Sequence, residues 1–209
     1  MANVVETYGW ETTTGPESCG YITPEVLKIL SSLNVRRVCD LGSGNGALAA
    51  TLREEGYYAA GVEYDQQGVA LSQKKYPGIN FYNLGVQDEP AQMLALEGQP
   101  FDTVVSTEVV EHLFSPHLLP IFARKLIPKG GYLVISTPYH GYLKNLALSV
   151  FNDWDKHHTV LWHGGHIKFW SRATLTRLLE EHGFKVIGFH GAGRFPYLWK
   201  SMILVAKAV

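Results

Sequence analysis

The first two thirds of the chain alternate between short apolar runs and segments with the spacing of an amphipathic helix. The apolar runs predict strands at 35–41, 58–62, 79–82, 101–106 and 132–136. Helices are predicted at 24–33, 47–55, 66–75, 91–96 and 118–126. Thr23 is a plausible N-cap and Pro24 suits the first helical position, so the first helix is predicted to begin at Pro24. Strands that alternate with helices form parallel sheets covered on both faces. The pattern therefore predicts an α/β fold, doubly wound around a mostly parallel sheet.

The end of the chain departs from this rhythm. Residues 138–168 form an insertion, after which Ser171 caps a helix through Glu181, and two last strands are predicted at 184–189 and 202–207. The connection between these strands is too short and too rich in glycine for a crossover helix, so they should pair antiparallel and complete a seven-stranded sheet. Residues 1–22 show no clear period and are interpreted as an N-terminal arm or lid on a single domain, 23–209.

The insertion carries an apolar stripe at helical spacing. Its members are Tyr139, Tyr142, Leu143, Leu146, Ala147, Val150, Phe151 and Trp154, with Lys144 and its polar neighbours elsewhere. Such a stripe most often packs into a core. The functional alternative is a lid over the active site that recognises an apolar or aromatic acceptor and could touch a membrane surface, with Tyr8, Trp10 and Tyr21 closing the same pocket.

Composition narrows the classes of function. The 209 residues suffice for one well-buried domain, and 18 basic against 19 acidic side chains leave no electrostatic footprint for nucleic acid. Cys19 and Cys39 fit neither a disulfide framework nor a metal motif. The first residues lack a basic region followed by an apolar run, and no apolar run reaches the length of a membrane span. We therefore expect a cytoplasmic protein.

The strand at 35–41 runs into a turn with glycines at positions 42, 44 and 46, followed by a helix. Backbone N–H groups of such a turn can meet a ligand, and a side chain there would hold the ligand off. The G-x-G-x-G spacing differs from the dinucleotide fingerprint, and there is no phosphate-binding P-loop. Asp40 would repel a pyrophosphate but suits a cationic group, and Glu63 ends the next strand, where a carboxylate accepts ribose hydroxyls. The two acids indicate a positively charged nucleoside, although a ligand-free turn and a nicotinamide site remain as alternatives.

The stretches V-C-D-L-G-S-G-N-G and G-V-E-Y-D resemble the first two motifs of class I S-adenosylmethionine-dependent methyltransferases, which have a Rossmann-like fold. The resemblance spans about 24–209 and implies that Asp40, Gly42, Ser43, Gly44 and Gly46 line the methionine part of the cofactor. It assigns Glu63 and Tyr64 to the ribose and adenine, and Thr107 to the same pocket. An acid usually faces the adenine amine from the third strand motif. Here the motif reads G-V-Q-D, which leaves Val86, Gln87 and Asp88 as candidates.

Acids and histidines cluster after the fourth strand. Glu108, Glu111 and His112 share one face if the segment is helical, and histidines recur at 157, 158, 163 and 166. Two carboxylates and a later histidine make a credible metal site. Each residue also has an explanation that needs no metal. Glu111 could be a charge favoured at a helix N-terminus, His112 a half-buried histidine with ordinary partners, and the later histidines polar residues of a loop.

A closer resemblance connects this cluster with the ubiquinone-biosynthesis O-methyltransferases and, more distantly, with the small-RNA 3′-terminal methyltransferases. It rests on S-T-E-V-V-E-H-L, K-G-G-Y-L-V-I-S-T-P and G-G-H-I-K-F-W-S. The resemblance implies a divalent metal (Mg, Mn or Zn) held by Glu108, Glu111, His112 and His166, which would bind the acceptor oxygen and lower its pKa. Many relatives with this motif work without a metal. Glu108, His112 and His166 are in either case the catalytic candidates, and one of the histidines could act as general base.

The sequence thus predicts methyl transfer from S-adenosylmethionine to a small molecule, most often at an oxygen of an aromatic or apolar acceptor. Nucleic acid is not an expected partner, and the oligomeric state stays open. A nicotinamide-dependent oxidoreductase and a non-catalytic S-adenosylmethionine-binding protein are the competing hypotheses. Asp40 argues against the former, and the intact E-x-x-E-H residues argue against the latter.

Overall fold

The computed structural model describes residues 9–10, 14–158, 161 and 165–209. Its first half contains α1 (Cys19–Leu33), β1 (Arg37–Leu41), α2 (Ala47–Glu54), β2 (Tyr58–Glu63), α3 (Gln66–Lys75), β3 (Asn80–Asn83) and α4 (Ala91–Glu97). Its second half contains β4 (Thr103–Thr107), a 3-10 turn (Val110–His112), α5 (Leu118–Leu126), β5 (Tyr132–Pro138), α6 (Tyr142–Val150), α7 (Trp154–His158), α8 (Arg172–Glu181), β6 (Phe184–Ala192) and β7 (Ser201–Ala208).

The seven strands form one sheet in the order β3-β2-β1-β4-β5-β7-β6. The first five strands run parallel, and β7 lies antiparallel to both β5 and β6. The predicted doubly wound fold and its C-terminal antiparallel pair are therefore confirmed. The strand order reverses between β1 and β4, and in such sheets ligands bind beyond the carboxyl ends of the strands at this point.

Helices cover both faces of the sheet because successive side chains of each strand point to opposite faces. On β4, Val104 packs into one core with Phe122 of α5 and Leu175 of α8. The next residue, Val105, packs into the other core with Leu30 of α1 and Leu52 of α2. Both cores consist of closely packed buried apolar side chains, so the strands that form the carboxyl edge of the sheet cannot shift independently.

The start of α1 differs from the sequence prediction. The helix begins at Cys19, so Pro24 lies inside it and the last four residues of the expected arm belong to the domain. The reason is the burial of Ile22, which is 2% exposed and extends the apolar face of Val26 by one turn. Tyr8, which was expected to help close the pocket, lies outside the described residues.

The insertion corrects the sequence interpretation more strongly. Its apolar stripe does not pack into a core: Leu143, Leu146 and Val150 are 51%, 47% and 69% exposed. Lys144 is instead the only buried residue of α6. The helix forms as its periodicity predicts, but the face turned to the protein is the one with the lysine. Among the described residues, no helix combines the length and the apolar composition needed to cross a bilayer.

Candidate active site

Hydrogen bonds within the protein fix the conformation of the turn after β1. The N–H groups of Gly42 and Ser43 donate to the carbonyl oxygen of Val62 at the end of β2, at 2.8 and 3.0 Å. The Gly46 N–H donates to Ser43, and the Gly44 N–H donates to Glu63. These four donors are thus engaged before any ligand arrives. The turn therefore offers a pyrophosphate few free N–H groups, and its contact with a ligand stays a prediction.

The glycines are required by neighbouring side chains of the protein. All three have positive φ, and a Cβ on Gly42 would lie 2.3 Å from Cγ2 of Val109. A Cβ on Gly44 would lie 2.3 Å from Cζ2 of Trp10, and one on Gly46 would lie 2.8 Å from Cζ of Phe81. No side chain fits at such distances without displacing its neighbour. Trp10, expected in the closing arm, therefore lies directly against the turn.

Asp40, the last polar residue of β1, is 1% exposed and has an unusual environment. Neither carboxylate oxygen accepts a hydrogen bond of ordinary geometry from the described residues. Burial, followed by the charge of Glu63, raises the pKa of Asp40 to about 7, and the nearby N–H of Ala49 opposes this increase. A buried carboxyl without a partner is costly, so this position favours a cationic ligand group.

Glu63, at the end of β2, is held by the main chain. Its carboxylate accepts from the N–H of Gly44 at 2.7 Å and from the N–H of Asp65 at 2.8 Å. Burial raises the pKa of Glu63, and the two N–H groups work against that increase. Each carboxylate oxygen has a second lone pair, so the group keeps capacity to accept from ribose hydroxyls.

The remaining cofactor candidates border this region with different exposures. Asp88 accepts from the N–H of Gly85 at 2.7 Å, so its carboxylate closes its own turn, and Val86 packs on the core. Tyr64 is 43% exposed, the hydroxyl of Ser43 has no partner among described residues, and Thr107 ends β4 beside Ser136. Gln87 lies against Gly85, within 2.5 Å of where a Cβ would stand. None of these positions by itself decides the contact to adenine.

Glu108 does not join the face predicted for it. Its φ is 54°, a left-handed conformation at the end of β4, so the 3-10 turn starts only at Val110. The carboxylate accepts from Ser136 Oγ at 2.8 Å and from Ser201 Oγ at 3.1 Å. Although Glu108 as a residue is half-buried, enclosure of its carboxyl raises the pKa to about 7. The correction follows from the backbone: Glu108 lies before the 3-10 turn in a left-handed conformation, so its side chain does not continue the face of Glu111 and His112.

The other three residues of the predicted cluster do come together. Ligand atoms of Glu111, His112 and His166 lie within 4.8 Å of one another, and Glu111 Oε1 is 3.9 Å from His112 Nε2. Glu111 is buried, and its Oε2 accepts from Thr137 Oγ1 at 3.0 Å. Burial, and then the charge of Glu108, raises the pKa of Glu111 well above its usual value.

The main chain fixes the late histidine beside this pair. The N–H groups of Ile167 and Lys168 both donate to the carbonyl oxygen of Glu111 at 3.0 Å. His112 Nδ1 lies 3.2 Å from the carbonyl oxygen of Gly165, and the rings of His112 and His166 are 5.1 Å apart. These contacts join the end of the insertion to the turn after β4.

The donor set suits a divalent metal ion. Glu111 Oε1 and His166 Nδ1 are buried atoms without a hydrogen-bond partner among the described residues. Burial, then the charges of neighbouring histidines, lowers the pKa of His166 to about 4, so the ring is a neutral ligand and a weak base. A proton on His112 Nδ1, donated to Gly165, would leave a lone pair on Nε2 beside Glu111. One carboxylate and two imidazoles are ligands that Zn²⁺ and related ions accept.

Sequence reasoning missed the side chains that support this cluster. Ser136 and Thr137 of β5, and Ser201 of β7, bond the two glutamates from other strands. Lys144 was set aside as a polar residue of α6, yet its charge acts on Glu108. The one available signal was a pair of hydroxyl residues directly at the end of an apolar strand, S-T-P at 136–138.

The sequence matches a known family over most of its length. Residues 19–188 match the family described as methyltransferase domain. A ubiquinone biosynthesis O-methyltransferase of Roseobacter denitrificans is 28% identical over 167 residues, which are 78% of this chain and 65% of that protein. The chain spans about half to two thirds of the length of the first curated relatives it matches.

Solved structures agree at the level of the fold. Magnesium protoporphyrin IX methyltransferase of Synechocystis PCC 6803 with bound S-adenosylhomocysteine superposes with a TM-score of 0.63 at 21% identity, over 90% of this chain and 82% of that one. The CcbJ methyltransferase of Streptomyces caelestis gives a TM-score of 0.67 at 16% identity, over 96% and 93% of the two chains.

Proposed function

This chain belongs to the methyltransferase domain family, among the class I S-adenosylmethionine-dependent methyltransferases, and from that premise we propose that it methylates an oxygen of a small aromatic or apolar acceptor. The observation that carries the cofactor assignment is Asp40. Its buried carboxyl accepts no hydrogen bond of ordinary geometry from the described residues, and the N–H groups of Gly42, Ser43, Gly44 and Gly46 beside it already have partners within the protein. The α-ammonium of S-adenosylmethionine, with the sulfonium nearby, is the kind of group that this position favours.

Methyl transfer depends mainly on the alignment of the acceptor oxygen with the methyl group of the cofactor. When bound, S-adenosylmethionine supplies both the methyl group and, as a sulfonium, the leaving group. The protein then has to hold the acceptor oxygen in line and keep water out. Glu108 and the cluster of Glu111, His112 and His166 lie at the end of β4, next to the cofactor turn that ends β1. They are the groups of this chain that can receive or polarise an acceptor hydroxyl.

We further propose that Glu111, His112 and His166 hold a divalent metal ion. When bound, such an ion lowers the pKa of a hydroxyl that it coordinates. Glu108 is placed outside this set and bonds Ser136 and Ser201 instead. In the alternative without a metal, a general-base role suits His112 better than His166, because the low pKa of His166 makes it a weak base.

Calorimetry with S-adenosylhomocysteine tests the cofactor assignment. Binding at micromolar concentration or tighter is expected, whereas selective binding of a nicotinamide dinucleotide would refute the proposal. A screen of quinols, catechols and sugars, read out by mass spectrometry of the methylated product, then identifies the acceptor class. Binding of S-adenosylhomocysteine with no methyl transfer to any acceptor would favour the non-catalytic hypothesis.

Metal analysis of the purified protein tests the metal proposal. A stoichiometric divalent metal is expected in the wild type and should be lost in Glu111→Ala. Glu181→Ala is the matched control, because Glu181 is exposed on α8 and pairs only with Arg177 among the described residues. Equal metal content in all three proteins would argue against the cluster.

The insertion suggests where an apolar acceptor approaches. The apolar side chains of α6 are exposed, and we propose that they meet an apolar acceptor or make a peripheral contact with a membrane. Flotation of the protein with phospholipid vesicles, with and without Val150→Ser, would test it. The cytoplasmic location expected from the sequence stays a prediction.

A further inference from the structure

The insertion helix α6 exposes its apolar side chains and buries a charged one. Its nine residues bury one side chain, and that side chain is Lys144, which is 6% exposed. Tyr142, two residues before it, is 80% exposed. Lysine is among the residues least often fully buried, because its ammonium loses its hydration. A helix that exposes its apolar residues and buries its lysine therefore needs a reason.

Packing alone does not supply that reason. Lys144 Nζ donates a hydrogen bond to the carbonyl oxygen of Lys200 at 3.0 Å, its one hydrogen bond to the described part of the chain. An ammonium carries three donors, so two remain. The same carbonyl accepts from the N–H of Tyr139, which places Nζ where β5 ends and β7 begins. Ser201, the next residue, bonds Glu108. The ammonium thus lies at the acceptor side of the site.

Lys144 is buried beside a second cation, Arg194, and one carboxylate, that of Glu108. Burial, and then the charge of Arg194, lowers the pKa of Lys144 to about 8, and the attraction of Glu108 only partly opposes them. His140, His157 and His166 also lie within range of its charge. The Lys144 ammonium and Arg194 therefore share the single carboxylate of Glu108, whose pKa is itself raised by its enclosure. An anion entering this space would relieve the repulsion and use the two remaining donors.

We infer that Lys144 binds a carboxylate of the acceptor, so that the substrate is an aromatic hydroxyl compound that also carries an acid group. This inference rests on the proposed acceptor class and narrows it. Two free N–H donors on one ammonium match the two oxygens of a carboxylate. Lys144 is then a specificity residue: it selects and orients the acceptor, while the groups at the end of β4 face the reacting oxygen.

Binding measurements with a matched pair of compounds test the inference. The probes are 3,4-dihydroxybenzoate and its neutral amide, titrated by calorimetry into protein saturated with S-adenosylhomocysteine. The wild type should bind the acid at least tenfold more tightly than the amide. Lys144→Met should remove this preference, and Lys144→Arg should keep part of it because the cation remains. Lys156→Met is the matched control: it removes a cation from the same insertion, but Lys156 is exposed and pairs with Asp153, so the preference should persist.

The outcomes separate this inference from the proposed function. Equal binding of acid and amide by the wild type, or binding of neither, overturns the role of Lys144. A preference retained in Lys144→Met, with intact affinity for S-adenosylhomocysteine, overturns it as well. If that variant fails to fold, Lys144→Gln with the same readout decides. Preferential binding of the acid without methyl transfer would reject the proposed reaction and leave the binding role in place, whereas a wild type that does not bind S-adenosylhomocysteine rejects the proposed function itself.

Discussion

The ends of β2 and β4 each place a hydrogen-bonded carboxylate beside a buried one, and the two pairs are held differently. Near the cofactor turn, the Asp40 carboxyl accepts no ordinary hydrogen bond from the described residues, while Glu63 is bonded by two N–H groups of the main chain. At the end of β4, the proposed acceptor side, Glu111 keeps one oxygen without a partner among the described residues, while Glu108 is bonded by the hydroxyls of two serines.

The difference concerns what holds each pair in place. Main-chain donors exist in any sequence that adopts the fold, so the cofactor pair is fixed by the backbone. Side-chain donors from β5, β7 and the insertion can be exchanged without changing the sheet. Substitutions can therefore change the surroundings of Glu108 and Glu111 while those of Asp40 and Glu63 stay constant. In this way one fold can serve many substrates.

The largest effect is expected from Gly42→Ala in the cofactor half. The new Cβ would lie 2.3 Å from Val109 Cγ2 at a φ of 83°, so both overlap and backbone strain oppose it. We expect the free energy of unfolding to fall by about 3 kcal/mol, measured by denaturant titration. The double variant Gly42→Ala with Val109→Ala removes the overlap but not the strain and should recover part of the loss. No recovery would mean that Val109 does not press on the turn.

The pH dependence of stability is expected to come next in size. The pKa of Asp40 is raised to about 7 in the folded protein, so the unfolded chain ionises first as pH rises and stability falls. Between pH 5.5 and 7.5 this group alone should cost about 2 kcal/mol of unfolding free energy in the ligand-free protein. Asp40→Asn should remove that part of the slope, whereas Asp155→Asn, at an exposed position, should leave it. Identical slopes in all three proteins would contradict the burial argument.

A smaller effect is expected on cofactor affinity. Asp40→Ala should weaken binding of S-adenosylmethionine at least tenfold, about 1.4 kcal/mol, because the group that faces the cation is lost. Calorimetry gives the affinity directly, and the thermal midpoint reports whether the variant is folded. An unchanged affinity in a folded variant would count against the assignment of this motif.

The smallest effect is expected on the acceptor side, at α6. Leu146 is 47% exposed, so Leu146→Ser should change the free energy of unfolding by less than about 0.5 kcal/mol. Leu119→Ala on α5, whose side chain is fully buried, should cost about 2 to 5 kcal/mol in the same assay. Comparable losses in both variants would show that the stripe of α6 is packed in solution.

The sequence predicts the strands on either side of the cofactor turn well because the signals for them are local. The α/β alternation gives the sheet, and Asp40 and Glu63 each end a strand whose neighbours pair in register, Asp40 opposite Gly61. The acceptor half depends on contacts that no local pattern contains. Glu108 turns away because its φ is positive, and the face that α6 presents is set by Lys144 and Lys200, 56 positions apart. Periodicity finds a helix but does not choose the side that meets the protein.

The contact between Val109 and Gly42 should also affect how fast ligands leave the site. Val109 follows Glu108 directly and precedes the turn that carries Glu111 and His112, yet its side chain occupies the space that a Cβ on Gly42 would need. The turn after β1 and the segment after β4 therefore pack against each other. Neither can move outward without leaving a cavity beside the other. Occupancy of one substrate should lengthen the residence time of the other, and the enzyme should release its products in an order.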